Sequence, residues 1–494
     1  MKSNPRNQIL AGAAILAVFF SGCTVGPNYH RPDAPVAPAW KAEDPWRPGE
    51  PRDQIPKGEW WKVFGDAELD GLETQAMGAN PTLQAGAARL QQAWATARLT
   101  VAGLYPQAGV GASPSRARES GNRPFISESG MSSPPITQSA YQLSFNVAYE
   151  TDLFGRVRRN IEASNASLQA SAADLEGLRL LIASEIAADY FTVREIDAET
   201  GVLDRTVEDL DKGLQLVESR AKGGVASGLD VAQERTLLDS TRTQAILLHQ
   251  QRVQFEDAIG ALTGQPASNF KLAEKPMLAN VPAIPVGLPS DLLERRPDIA
   301  EAERGMAGAN ALIGVAKSAY YPDLSLSGAS GLQSFAISKL ATLSSGYWAI
   351  GAAVAESVLT GGARKAQVQF AEAGYSGAIA NYRGAVLTAF QEVEDNLAGL
   401  GILDQALSAQ RQAVNDARKA LEIATNRYVG GLVSYLDVVT AQQTLLSNEQ
   451  LAAEIEGQRL VTSVLLVKAL GGGWDAASIA SMKVKPNIKQ AIEP

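Results

Sequence analysis

Few side chains in this sequence are placed to do covalent chemistry. There is one cysteine, Cys23, and there are two histidines, His30 and His249. No disulfide framework and no Cys/His metal cluster can be built within one chain from that set. No glycine loop is spaced to cradle phosphates, and two histidines could hardly supply a His/Ser/Asp set, so an enzyme is the weakest reading and no cofactor or metal is expected. Scattered carboxylates on helices are read as solvated faces. The reactive group with an evident use is the Cys23 thiol. Lys2 and Arg6 precede an apolar stretch from Ile9 to Phe20, and small residues lead into Phe20-Ser21-Gly22-Cys23. That is the charge, length and small-residue pattern of a signal peptide over residues 1–22.

A cysteine directly after such a segment resembles a bacterial lipobox, in which the peptide is cut before the cysteine and the thiol and new amine are acylated. Phe20 departs from the leucine usual there. An ordinary signal peptide with an incidental cysteine is the alternative. Thr24 follows Cys23, and it is not the aspartate that retains similar lipoproteins in the inner membrane, so outer-membrane delivery is expected. Pro27 to Pro56 carries Pro32, Pro35, Pro38, Pro45, Pro48 and Pro51, the composition of an extended tether and not of a domain.

The elements behind these residues are written twice. Asn80-Pro81-Thr82-Leu83 and Leu104-Tyr105-Pro106 recur as Arg296-Pro297-Asp298-Ile299 and Tyr320-Tyr321-Pro322, 216 residues later. Glu150, Leu153, Gly155, Arg158 and Arg159 match Glu356, Leu359, Gly361, Arg364 and Lys365 at 206. Arg220, Gly223, Gly224, Ser227, Leu229, Asp230 and Val231 match Arg427, Gly430, Gly431, Ser434, Leu436, Asp437 and Val438 at 207. A period that long marks a duplicated domain and not a solenoid.

Each copy opens with a helical segment, Asn80 to Ala102 in the first, and then alternates. Ala108, Val110 and Ala112 are apolar between Gln107, Gly109, Gly111 and Ser113, as are Leu324 and Leu326 between Asp323, Ser325 and Ser327. Tyr141, Leu143, Phe145, Val147 and Tyr149 alternate with Gln142, Ser144 and Asn146, and Trp348, Ile350, Ala352 and Val354 are their counterparts. Period two suits strands with one face to lipid and one to water; strands of a soluble sandwich would alternate in the same way. The second strand is one residue out of step with the Glu150/Glu356 match, which a bulge would absorb. Ser115 to Ala140 is expected to be a Gly/Ser/Pro-rich mobile loop at the membrane's outer face. After residue 20 no apolar run reaches the 18 or so residues of a transmembrane helix, so any span must be made of strands.

Both copies then become helical. No proline lies between Ile136 and Gln265 or between Asp323 and Lys485. Arg156 to Lys222, as one helix or two stacked end to end, would reach on the order of 100 Å. Leu203, Val207, Leu210, Leu214 and Val217 step by 4, 3, 4, 3, a heptad seam, and Val414, Ala417, Leu421 and Ala424 repeat its phase. Gly223-Gly224 and Gly430-Gly431 should end these helices. Ser227 to Asp230 and Ser434 to Asp437 have capping-box spacing, so a new helix should start at each and run back.

Strand pair, long hairpin, strand pair, long hairpin: this order resembles the outer membrane factor (TolC-like) family, and its NodT-type lipoprotein branch that serves resistance-nodulation-division efflux systems. The likeness is carried by Thr24-Val25-Gly26-Pro27-Asn28-Tyr29, Trp60-Trp61-Lys62-Val63-Phe64-Gly65-Asp66, Arg295-Arg296-Pro297-Asp298-Ile299 and Tyr435-Leu436-Asp437-Val438. It implies a mostly α fold with a β-barrel: a homotrimer whose twelve-stranded outer-membrane barrel continues as a periplasmic α-helical coiled-coil barrel. The partners would be a periplasmic adaptor (membrane fusion protein), an inner-membrane transporter and outer-membrane lipid. Four strands cannot close a barrel or leave edges bare in lipid, and three chains of four give twelve. Nucleic acid is not expected as a partner at a net charge of −9.

The expected division is residues 1–22 signal peptide, 23–79 lipidated tether and equatorial segment, 80–280 and 281–472 the two repeats, and 473–494 a C-terminal tail. The expected function is passive exit of drugs and other toxic small molecules; a type I protein-secretion channel and a non-conducting envelope lipoprotein are the alternatives. The resemblance further implies a periplasmic gate at Tyr428, Leu436, Asp437 and Thr440. Helix capping alone would equally account for Asp230 and Asp437. Thr440 stands where relatives often have a second aspartate, which weakens the case for a strongly cation-selective entrance.

Overall fold

The computed structural model describes residues 24–33, 36, 39–41, 58–120, 135–277, 281–282, 284, 292–474 and 476–486. The signal peptide, Cys23 and most of the Ser115 to Ala140 segment lie outside them. After a 3-10 turn at Trp60–Phe64, the chain runs through helices α1 (Ala67–Ala79) and α2 (Pro81–Ala102) and strands β1 (Gln107–Glu119) and β2 (Ile136–Glu150). Helices α3 (Arg156–Lys222), α4 (Gly228–Leu262), α5 (Leu292–Arg295) and α6 (Pro297–Ser318) follow. Strands β3 (Asp323–Ser334) and β4 (Gly346–Ala355) then lead to α7 (Ala363–Val429), α8 (Tyr435–Ala469) and α9 (Ala477–Ala480).

The duplication is exact in helix length. α2 and α6 have 22 residues each, α3 and α7 have 67, and α4 and α8 have 35. α3 is one continuous helix, about 100 Å long at 1.5 Å per residue. Asn80 caps α2 by accepting from Thr82 N (2.8 Å) and Leu83 N (3.1 Å), and proline opens both α2 and α6, where a missing N–H costs nothing.

The strands form one antiparallel sheet in the order β1-β2-β3-β4. Two expectations are corrected here. β1 runs on through Ser115 to Glu119 and β2 starts at Ile136, with Glu119 paired to Ile136, so the loop is shorter than the composition suggested. Backbone pairing with a long partner carries a strand past the point where its side chains stop alternating. Nor is there a bulge, because all three ladders pair residue for residue. Arg156 and Ala363, which start the two long helices, stand 207 apart, as do Tyr141 and Trp348 in the strands. The offset is therefore 207 from strand through linker to helix, the 206-residue matches are one position off the structural equivalence, and Gly155 (φ +82°) and Gly362 (φ +90°), not Gly361, hold equivalent N-cap positions.

In the half nearest the sheet the helices lie side by side in the order α2, α3, α6, α7; in the far half the order is α4, α3, α8, α7. One chain is therefore an arc with α3 inside it and α7 at one edge. α3 buries residues along its whole length, including Leu203, Leu210 and Val217 of the heptad seam. α7, of equal length, buries far fewer and leaves Phe370, Leu387, Ile402 and Ile423 exposed. The opposite edge exposes Leu99 of α2 and Ile246 and Leu247 of α4. β1 and β4 are the free edges of the sheet, so both layers are open at both ends of the arc.

The largest core lies between tips and sheet. Trp60, Trp61 and Phe64 pack there with Tyr190 and Phe191 of α3, Val393 and Leu397 of α7, and Leu460 and Val464 of α8. A buried ion network closes over it. Asp197 accepts from Arg194 (2.8 Å) and Arg252 (2.7 Å), Arg194 also reaches Glu68 (3.0 Å), and Arg252 reaches Glu256 (3.0 Å). α1, α3 and α4 are thereby joined through paired charges, the only form in which charge is tolerated at such burial.

Candidate functional site: sheet face, strap and hairpin tips

The ladder registers place the alternating large apolar residues of all four strands on one face. Val110 pairs with Phe145, Phe145 with Ser330, and Ser330 with Trp348. Leu143, Val147, Leu324, Leu326, Ile350 and Val354 share that face, whereas Gln142, Ser144, Asn146, Ser325 and Ser327 share the other. Trp348 and Ile350 are 77 % and 83 % exposed in the single chain. A broad, exposed apolar face opposite a polar one is what a sheet between lipid and water requires. Among the described residues no helix is long and apolar enough to cross a membrane.

The described residues 24–33 and 39–41 run along the helices and are bound to them. Val25 N donates to Phe154 O (3.1 Å), and Thr24 sits so close to Gly155 that a Cβ there would come within 2.7 Å of it. Arg159, 3 % exposed, donates to Val25 O, Gly26 O and Asn28 Oδ1 at 3.0 to 3.2 Å. Farther along, Tyr29 donates to Glu303 (2.6 Å), Arg31 to Tyr382 (3.1 Å), and Trp40 stacks obliquely on Phe390 at 5.8 Å. The strap thus starts where strand meets helix and follows α6 and α7 away from the sheet. Proline removes backbone donors and keeps the segment extended, so side chains of the helices supply most of its bonds.

At the tips Gly223 and Gly430 remain right-handed, and Gly224 (φ +76°) and Gly431 (φ +72°) make the left-handed turn that glycine adopts without a Cβ penalty. Val225 N then donates to Arg220 O (2.8 Å) and Leu432 N to Arg427 O (2.9 Å). The first capping box is reciprocal: Ser227 N donates to Asp230 Oδ2 (3.0 Å) and Asp230 N to Ser227 Oγ (3.2 Å). The second differs from the expected pattern. Ser434 N (3.1 Å) and the Ser434 hydroxyl (2.7 Å) both donate to Asp437 Oδ2, and Asp437 N turns to Ser434 O (3.2 Å). A hydroxyl donates as readily as it accepts, and the ionised carboxylate is the stronger acceptor.

The four residues assigned to a gate separate into two groups. Leu436, 54 % exposed, Asp437 and Thr440 lie on the open side of α8, with the Thr440 hydroxyl returned to Leu436 O (2.8 Å). Tyr428 is buried within the chain. Its ring meets Tyr435 edge-on at 4.8 Å, the Arg220 guanidinium lies 4.9 Å over its other side, and its hydroxyl has no partner. Burial raises the tendency of that phenol to keep its proton. Sequence reasoning named Arg220 only as a repeat match and Tyr435 only as part of a family motif, and it missed Glu234; all three join the hairpins here. Gly213 in mid-helix was the available signal, a place where another side chain comes close. Also unassigned were Val225, Leu229 and Leu432, which leave the tips with exposed apolar ends.

Residues 72–265 and 288–472 match the model of the outer membrane efflux protein family. The chain is 30 % identical to the toluene efflux pump outer membrane protein TtgF of Pseudomonas putida, over 94 % of this chain and 96 % of that protein. It is 32 % identical to the pyoverdine export outer membrane protein OpmQ of Pseudomonas aeruginosa, over 85 % of this chain and 88 % of that one. Its structure superposes on the outer-membrane channel OprN with a TM-score of 0.84 and 29 % identity, covering 92 % of this chain and 100 % of that one.

Proposed function

The chain belongs to the outer membrane efflux protein family and is an outer-membrane efflux duct, and we propose that it works as a homotrimer passing small molecules from an inner-membrane transporter and periplasmic adaptor to the outside. The observation that carries this is the arc with matching open edges. β1 and β4 leave backbone donors and acceptors unpaired at the same two ends where α2, α4 and α7 expose Leu99, Ile246 and Phe370. Unpaired backbone costs several kcal/mol per group in lipid, so copies of the arc must close on each other. Three copies give a twelve-stranded barrel.

Residues 23–79, 80–280, 281–472 and 473–494 serve as anchor and equatorial segment, two repeats and tail. Lipid anchoring at Cys23 is supported by the strap, because Thr24 is fixed beside Gly155, where strand gives way to helix and the membrane's inner surface should lie. Leu436, Asp437 and Thr440, repeated three times about the axis, form the closed periplasmic iris, and Tyr428 holds the hairpins behind them. Purified in mild detergent, the protein should cross-link to a three-subunit ladder and conduct in planar bilayers. A monodisperse monomer by light scattering would refute both barrel and tunnel.

A further inference from the structure

Above the tips a carboxyl group is sealed between the two hairpins. Glu234 of α4 is fully buried. Its Oε1 accepts from Gln442 Nε2 of α8 (3.4 Å), the Tyr435 hydroxyl stands beside it, and its Oε2 has no hydrogen-bond partner. Space for it exists because α3 has glycine opposite: a Cβ on Gly213 would lie 2.4 Å from Glu234 Oε1 and 3.5 Å from the Tyr435 hydroxyl.

The cluster is not shared by the two copies. At the 207-residue offset Glu234 corresponds to Ala441, Gly213 to Ala420, Tyr428 to Ala221, Tyr435 to Gly228 and Gln442 to Arg235. Each large member thus has a different residue, usually a small one, at its equivalent position, so the arrangement joins first hairpin to second within a chain and is not repeated by internal symmetry. We propose that Glu234 is a proton-operated clasp between the hairpins, closed when the carboxyl is neutral and loosened when it ionises. The clasp rests on the reading of the tips as a gate.

The chemistry sets the direction. Desolvation pushes the Glu234 carboxyl above the usual carboxylate range, and the hydrogen bonds from Tyr435 and Gln442 offset this only in part. Among the described residues no cation compensates. On its own helix Arg235 turns outward to Glu218 (2.7 Å) and Asp230 is held in its capping box; from α3, Arg220 stacks on Tyr428 of α7; from α8 come only Tyr435 and Gln442, with Asp437 exposed. A group whose pKa is raised in one state stabilises that state fully below its ordinary value and loses the contribution as pH climbs through the raised one. Acid therefore tightens the clasp and alkali loosens it, by up to about tenfold in equilibrium for each unit that the pKa is raised.

The test is the separation of α4 and α8, measured by pulsed electron spin resonance between nitroxides at Ala232→Cys and Gln443→Cys. The background is Cys23→Ser, with labelled chains diluted into unlabelled full-length protein in lipid. Between about pH 5 and about pH 8 the distances should lengthen and broaden. Glu234→Gln, which keeps the shape of the neutral acid, should hold the acid distribution throughout, and Gly213→Ala, which displaces the carboxyl, should give the loosened one throughout. A Glu234→Gln protein that still follows pH, or a parent that does not respond, overturns the clasp. Because the readout is distance and not conductance, failure of the gate would appear separately, as unaltered current through Leu436→Ser.

Discussion

Leu436→Ser tests the iris most directly. In the single chain Leu436 is 54 % exposed, so about half of the ~2 kcal/mol that full burial of a leucine contributes is already gained inside the chain. If three copies meet at the axis, the other half, about 1 kcal/mol each, is gained only on closure. Removing all three would cost the closed state about 3 kcal/mol, roughly a hundredfold shift toward opening. Single-channel recording in planar bilayers should show a higher conductance or open probability, and large antibiotics should leak inward. Melting of the chain should fall by no more than the exposed position implies. Tyr428→Phe is the companion variant. Its hydroxyl is buried without a partner in the chain, and losing such a group is neutral or mildly stabilising. The double variant should therefore conduct more at nearly unchanged melting temperature. If conductance stays at the parent level while melting temperature drops, these residues only pack the tip and the constriction lies elsewhere.

Cys23→Ser should abolish radiolabelled palmitate incorporation while leaving some protein in the outer membrane, since the barrel inserts independently of the acyl chains; undiminished labelling would refute lipidation. Ile350→Arg places charge on the apolar sheet face and should cost about 2 to 4 kcal/mol near the midplane, read as lost heat resistance of the assembled protein, whereas Ser144→Arg on the other face should be tolerated and alter ion selectivity. Asp197→Ala leaves two buried guanidinium groups short of a partner and should destabilise by about 3 to 5 kcal/mol in denaturant melts. Loss of the exposed pair Lys212–Glu208 should leave the denaturant midpoint unchanged, because solvent already screens it.

What was legible in the sequence follows from periodicity, because period two and the heptad are properties of a single element and survive without knowledge of its neighbours. The duplicated order, the turn glycines, the seam through Leu203, Leu210 and Val217, and the apolar strand residues could all be read in this way. The exit of the chain from β2 and β4 could not. Whether a one-residue mismatch in matching side chains marks a bulge depends on ladder pairing across strands, and the unbroken ladders show that it does not. Nor did composition show that the described start of the proline-rich segment is a bound strap, since it is held by Arg159, by Asn310, whose Nδ2 donates to Pro27 O (3.1 Å), and by Tyr382, all far away in sequence. Glu234 is the clearest case. By type and position on a helix it reads as one more solvated carboxylate, and only the approach of α8 over the notch at Gly213 buries it. Local pattern determined the elements, whereas the environment of each polar group, and with it the chemistry at the tips, was decided by which elements came to face one another.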